Sequence, residues 1–174
     1  EYKSLYKYLS NFKEDLNRRN EQETGIRYEW YVLQRPGTSF VSDFNQTKVG
    51  WMNMNRGWKF SLIDKDIFLE ASCNFVADNK YAKYLVGIYS SNVHKWYFKK
   101  VGRMFDDGGY MCKVDTISEF PVVKPSSNEK IKIEKMVDLL INAPNEQNES
   151  NLNNYIYELY GLNNKEKAIV DTIK

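Results

Sequence analysis

The stretch KYAKYLVGIYSSNVHKWYFKKVG, Lys80 to Gly102, constrains the fold more than any other part of the chain. Tyr81, Leu85, Ile88 and Tyr89 fall on one face of a helix, and the apolar pattern continues through Val93, Trp96 and Tyr97. A helix with that much apolar surface must be buried against a second layer. Gly87 and the Ser90–Ser91 pair lower its propensity and allow a bend or break. Its end is basic, with Lys95, Lys99 and Lys100 followed by Arg103.

The second layer is sought among extended runs. YEWYVLQ reads as a strand closed by a turn at Pro36 and Gly37. KVGWMNMN and WKFSLID, separated by Arg56 and Gly57, have the form of a hairpin: two β-prone runs and a tight turn. FLEASCNFVAD is a further extended stretch. RMFDDGGY reads as a loop, and MCKVDTISEFPVVKP as a segment that ends extended and bracketed by prolines.

Helices flank this body. Tyr2, Leu5, Leu9, Phe12 and Leu16 predict one amphipathic helix from Tyr2 to Arg19. Ser126 and Glu129 form a capping-box pattern, opening a helix with Ile133, Met136, Val137, Leu140 and Ile141 inward. NAPNEQNES breaks it. Leu152, Tyr155, Ile156 and Leu159 then make a short helix stopped by Gly161, and Asn163 with Glu166 opens the last one. The expected class is α+β: a small mixed or antiparallel sheet body with packed helices, preceded by an amphipathic helix and followed by a helical C-terminal tail. The expected division is 1–125 and 126–174. Glu1 falls in mid-helix pattern, so the chain is expected to be a piece of something longer.

Searches for catalytic constellations return little. Neither GxxxxGK nor GxGxxG is present, and no GxSxG elbow accompanies the single histidine, His94. His94 follows an apolar helical run, where a core or helix-surface role is the ordinary one. Cys73, Cys112 and His94 lack a fourth ligand and the local spacing of a zinc site. Asp64 with Asp66, or Asp106 with Asp107, could pair as acids or hold a metal, although aspartates of this kind are commonly turn residues. The fragment is expected to be non-catalytic and to carry neither cofactor nor metal. Two cysteines make no disulfide framework, and no apolar run reaches transmembrane length. A cytoplasmic protein without a membrane partner is expected.

The positive signal is basic and polar. The net charge of +2 is too small to make the whole chain a polyanion binder, so clustering matters. QTKVGWMNMNRGWK places Lys48, Asn53, Asn55, Arg56 and Lys59 around the predicted turn, interleaved with Trp51 and Trp58. Arg and Lys reach guanine edges or phosphates, and Asn pairs with adenine. A two-stranded ribbon also fits a DNA major groove. Lys99, Lys100, Arg103 and Lys113 are candidates for phosphate positioning, although cations at a helix end also complement its dipole.

The order of features resembles the C-terminal specificity domain of TaqI-like DNA methyltransferases and type IIG restriction-modification enzymes. The leading helix with NRR, the WYVLQRP strand, the KV strand, the YLVGIYSSNVHKWYFKK helix, the GGYMCKVDTISEFPVV segment and the YIYELYGLNNKEKAIV tail carry the likeness. It spans nearly all of the chain. It implies sequence-specific recognition of double-stranded DNA beside an upstream domain that binds S-adenosylmethionine and methylates adenine N6. An N-P-P-Y-type motif and the cofactor loop are absent here, so methyl transfer and cleavage are not expected of this fragment. One departure stands out: after KV the chain has Gly50-Trp51, where relatives commonly show a Pro-Arg type pair, so Arg56 substitutes or the contact is missing. Rival readings are a specificity subunit or protein-docking module, and a nuclease fragment using Asp64, Asp66 and Glu70.

Overall fold

A computed structural model describes residues 2–34, 38–105 and 108–172. The chain forms two compact units, Glu1–Val41 and Ser42–Lys174. The boundary expected after residue 125 does not coincide with a change of unit. The turn at Pro36–Gly37 and the Asp106–Asp107 pair lie outside the described residues. Among the described residues, no helix is long and apolar enough to cross a membrane.

In the first unit, the single leading helix expected from the sequence is two short ones, α1 (Lys3–Ser10) and α2 (Lys13–Arg18). YEWYVLQ is not a strand. It forms turns, with Val32 N–H donating to the Glu29 carbonyl at 3.0 Å and one isolated bridge between Thr24 and Tyr28. Its aromatics pack on α1 instead, with Tyr6 5.4 Å from both Trp30 and Tyr31. β-prone side chains make a strand only where a ladder partner is present, and among the described residues this segment has only the single Thr24–Tyr28 bridge.

The second unit is built on a three-stranded antiparallel sheet, β3-β1-β4, of β1 (Lys48–Met52), β3 (Ser61–Ile63) and β4 (Cys73–Ala77). The register sets Val49 opposite Leu62 and Val76, and Gly50 opposite Ser61 and Phe75. Side chains alternate across a strand, so Val49, Trp51, Leu62 and Val76 share the inner face. That face joins a core with α4 (Ala82–Ser90) and α5 (Asn92–Val101). Trp58 sits within it, 5.1–5.3 Å from Phe60, Phe98 and Tyr110, and its indole N–H donates to the Tyr89 carbonyl at 2.7 Å.

The break foreseen at Ser90–Ser91 is present. Ser91 is extended (ψ 155°), ends α4 and caps α5 by accepting from the His94 N–H. β1 and β3 pair as expected, but not through a tight turn. The intervening chain leaves the ladder to form β2 (Met54–Asn55) in a second sheet, β2-β6-β5, with β6 (Tyr110–Met111) and β5 (Arg103–Met104). Past β6 the MCKVDTISEF segment contains a helix, α6 (Val114–Ser118), before it becomes extended.

The tail forms α7 (Ser127–Asn142), α8 (Glu146–Leu159) and α9 (Asn164–Asp171), and both expected capping boxes are made. α8 begins earlier than expected because Asn145 caps it by accepting from the Asn148 N–H. These helices are not peripheral: Ile133, Val137, Leu152 and Ile156 lie in the same core as Val49. α4 meets α7 at Gly87, where an added Cβ would stand 2.8 Å from Ile133 Cγ2 and 3.0 Å from Val137 Cγ2. Alanine is the better helix former by about 1 kcal/mol, yet overpacking costs about 1–3 kcal/mol. Gly87→Ala should therefore lower stability by about 1 kcal/mol, read as a lower urea midpoint at unchanged slope.

Candidate nucleic-acid interface

The second sheet decides where the basic residues lie. Met54 pairs with Met111, and Met111 with Arg103. Directly paired residues project to the same face, so Met54, Met111 and Arg103 form one row. Adjacent strands lie about 4.8 Å apart, which puts Arg103 and Met54 about 10 Å from each other across the row. Arg103 follows the last turn of α5, which carries Lys99 and Lys100. Arg56 and Lys59 follow Met54 on the other side, and Lys113 stands at the start of α6, just beyond β6. Two basic segments far apart in sequence thus meet at one end of the unit.

Within this end, Arg56, Lys59, Lys100, Arg103 and Lys113 are exposed, while Asn53, Asn55 and Lys99 are partly so. Lys100 lies over the Trp96 ring, its ammonium 5.6 Å from the centroid. Burial lowers the Lys95 pKa, and the charge of Lys99 adds to the effect, as expected for cations one turn apart. Asn55 Oδ1 accepts from the Gly57 N–H at 3.1 Å, a local turn that orients its amide. Asn53 is held by its backbone, donating to the Ser72 carbonyl at 2.9 Å and accepting from Cys112 N–H at 2.8 Å.

Lys48 is the clear correction. It was expected at a base edge or phosphate, but its side chain is fully buried. Its ammonium donates to the carbonyls of Phe44 at 3.0 Å and Asp64 at 2.9 Å. The two tryptophans of the segment are also internal: Trp51 is buried, with its indole N–H donating to the Cys112 carbonyl at 2.8 Å.

The outer face of the first sheet, missed in the sequence, contains a recess. Gly50, Met52, Ser61, Ile63 and Cys73 share this face by register. At the Lys48 end it is covered, with Phe44 stacked on Phe68 at 4.6 Å and tilted against Phe75 at 4.9 Å. At the Met52 end it opens into a cavity of about 250 Å³, also lined by Asn55 and Lys59. The only sequence signal was the alternation Lys48, Gly50, Met52, in which a glycine interrupts an otherwise bulky strand.

The residues of the nuclease alternative are turn elements here. Asp64 offers its carbonyl to Lys48, Asp66 adopts a positive φ of 66° with its N–H on the Phe44 carbonyl, and Glu70 accepts from the Cys73 N–H. Among the described residues, no group of three His, Cys, Asp or Glu could hold a metal ion. His94 is a core residue, 5.0 Å from the Phe120 ring and 5.8 Å from Tyr160. Its Nδ1 is 3.4 Å from Ser91 Oγ, whereas Nε2 has no partner in hydrogen-bonding geometry. The nearby Pro121 carbonyl already accepts from Tyr160 at 2.7 Å. Desolvation pushes the His94 pKa down to about 4, against the smaller raising effect of neighbouring carbonyls. No protein-family model and no curated protein matches the chain.

Two predictions follow from these burials. Lys48→Met would leave the Asp64 carbonyl without its donor, at about 1–3 kcal/mol for an unpaired interior carbonyl, while the Phe44 carbonyl keeps the Asp66 N–H. Relief of ammonium desolvation offsets part of this, so a net loss of about 1–2 kcal/mol is expected in urea unfolding, read as a lower midpoint. A solvated lysine at this position would instead leave stability within about 0.5 kcal/mol. His94, with a folded pKa of about 4 against an ordinary 6.5, binds its proton later than the unfolded chain does as pH falls. Its contribution is therefore complete above pH 6.5 and is lost as pH falls towards 4. The loss reaches about 3 kcal/mol at the acid end. The stability of His94→Phe, measured over the same window, should fall less steeply.

Proposed function

We propose that this chain is the target-recognition part of an adenine-N6 DNA methyltransferase of the restriction-modification type, and that it binds double-stranded DNA in a sequence-specific way. The supporting observation is the Met54–Met111–Arg103 register, which joins the Asn53–Lys59 segment to the basic end of α5. Exposed Arg and Lys on a backbone-fixed platform supply phosphate contacts, and the polar residues of the joining segment supply base contacts. Asn53, Asn55, Arg56 and Lys59 take the base-edge or flanking role, and Lys99, Lys100, Arg103 and Lys113 take the phosphate role. Methyl transfer belongs to an upstream domain of the same protein, which holds S-adenosylmethionine. The free thiols of Cys73 and Cys112 suit a cytoplasmic setting.

A docking role for the first unit has its own support. Tyr2, Leu5 and Tyr6 of the α1 segment are all exposed and apolar, as on a helix that packs against another protein surface. In this reading the surface is the upstream methyltransferase domain, so docking and DNA binding are carried by separate units.

Binding of random duplex by fluorescence anisotropy, titrated with salt, is the first test. Affinity should fall linearly on logarithmic axes, and Lys100→Gln and Arg103→Gln should each flatten the slope by about 0.9. Selection from a random pool should then return a motif, with Arg56→Ala costing about 1–3 kcal/mol at one position only. Absence of salt-dependent duplex binding would refute the proposal.

A further inference from the structure

The recess at the open end of β1 combines two features that the basic platform lacks. Its lining is mainly apolar, with Gly50, Trp51, Met52 and Ile63 among the residues that form it. An ideal Cβ on Gly50 would stand 2.3 Å from Ile63 Cδ1, so the glycine makes room for the Ile63 side chain to lie across the strand as the apolar floor. Beside the apolar part is a single oriented amide. Asn55 lines the recess and its Oδ1 is engaged by the Gly57 N–H, so the hydrogen-bonding capacity left on the amide is chiefly that of Nδ2, a donor. Lys59 lines the same recess and is exposed, while none of its lining residues is acidic. The site therefore suits a ligand that presents a methyl group next to a hydrogen-bond acceptor, near an anionic backbone.

Among the base edges of the major groove, thymine alone offers that pair, its C5-methyl lying beside the O4 acceptor. Cytosine presents the N4 donor and no methyl, which would oppose donor to donor at Asn55. We propose that the recess reads a thymine: the methyl enters between Met52 and Ile63, Asn55 Nδ2 donates to O4, and Lys59 holds a flanking phosphate. A water occupies about 30 Å³, so a cavity of about 250 Å³ has room for the methyl and the ring edge that carries it. This inference rests on the DNA-binding reading above and adds to it the base that one pocket recognises.

The test uses the recognised duplex obtained by selection with the 174-residue chain. Each thymine is replaced in turn by deoxyuridine, which removes only the methyl. At one position the wild-type affinity should fall about fourfold, the value of one buried methyl-sized group. Met52→Ala should abolish that sensitivity, and Asn55→Ala should relax the preference for thymine over cytosine at the same position. Met52 is 42% exposed, so its truncation leaves the fold intact, as a thermal melt will verify. A recognised sequence without thymine, indifference to deoxyuridine at every position, or an undiminished effect in Met52→Ala would overturn the pocket assignment while DNA recognition stood. Failure to select any sequence, with no salt-dependent binding, would instead remove the DNA reading and the pocket with it.

Discussion

A buried ammonium organises the sheet-bearing unit. Lys48 is placed in the most enclosed strand, with Val49 fully buried beside it, and a cation there is tolerable only when hydrogen-bonded. Its partners are the carbonyl that ends α3 (Val41–Phe44) and the carbonyl of Asp64, just past β3. The Phe44 carbonyl also accepts from Asp66 N–H, so one oxygen joins a helix end, a strand and a loop. This clamp brings Phe44 against Phe68 and Phe75 and closes half of the sheet's outer face. The other half stays open, and the recess lies there.

The second sheet is small, yet it has more influence on the surface than the first. Each of its strands is two residues long, too short to be stable alone. Its stability comes from Tyr110, which is buried against Trp58 and Phe98. The aromatic core thus fixes a backbone ladder, and the ladder fixes the spacing of the basic residues outside it. Phosphate contacts need such spacing more than they need any single side chain, because their value lies in matching a regular backbone.

Local chemistry was legible in the sequence, and non-local pairing was not. The capping boxes at Ser126–Glu129 and Asn163–Glu166 and the Ser91 break depend on residues within a turn of one another, and each was readable. YEWYVLQ has strand composition, but nothing in the letters says that among the described residues its only bridge is the isolated one at Tyr28. The Arg56–Gly57 turn looked tight from its own letters, but β2 pairs with β6, more than fifty positions later, which no neighbouring residue announces. Lys48 carried a strong surface prior, and it is buried because the α3 end and the Phe44, Phe68 and Phe75 rings cover its half of the outer face. The basic residues of the candidate site were visible singly, while the row that unites them was not.

The shared core also imposes an order on biosynthesis. Val49 and Trp51 are made early, but the core they join includes Ile133, Leu152 and Ile156 from the last helices. On a ribosome adding about 5–20 residues per second, the apolar face of α4 stays uncovered for several seconds until α7 and α8 arrive. During that interval the core behind the two-residue strands is incomplete, lacking Ile133, Val137, Leu152 and Ile156. Premature termination after the strands would therefore release a chain with its most hydrophobic helix exposed, a substrate for chaperones rather than a smaller working domain.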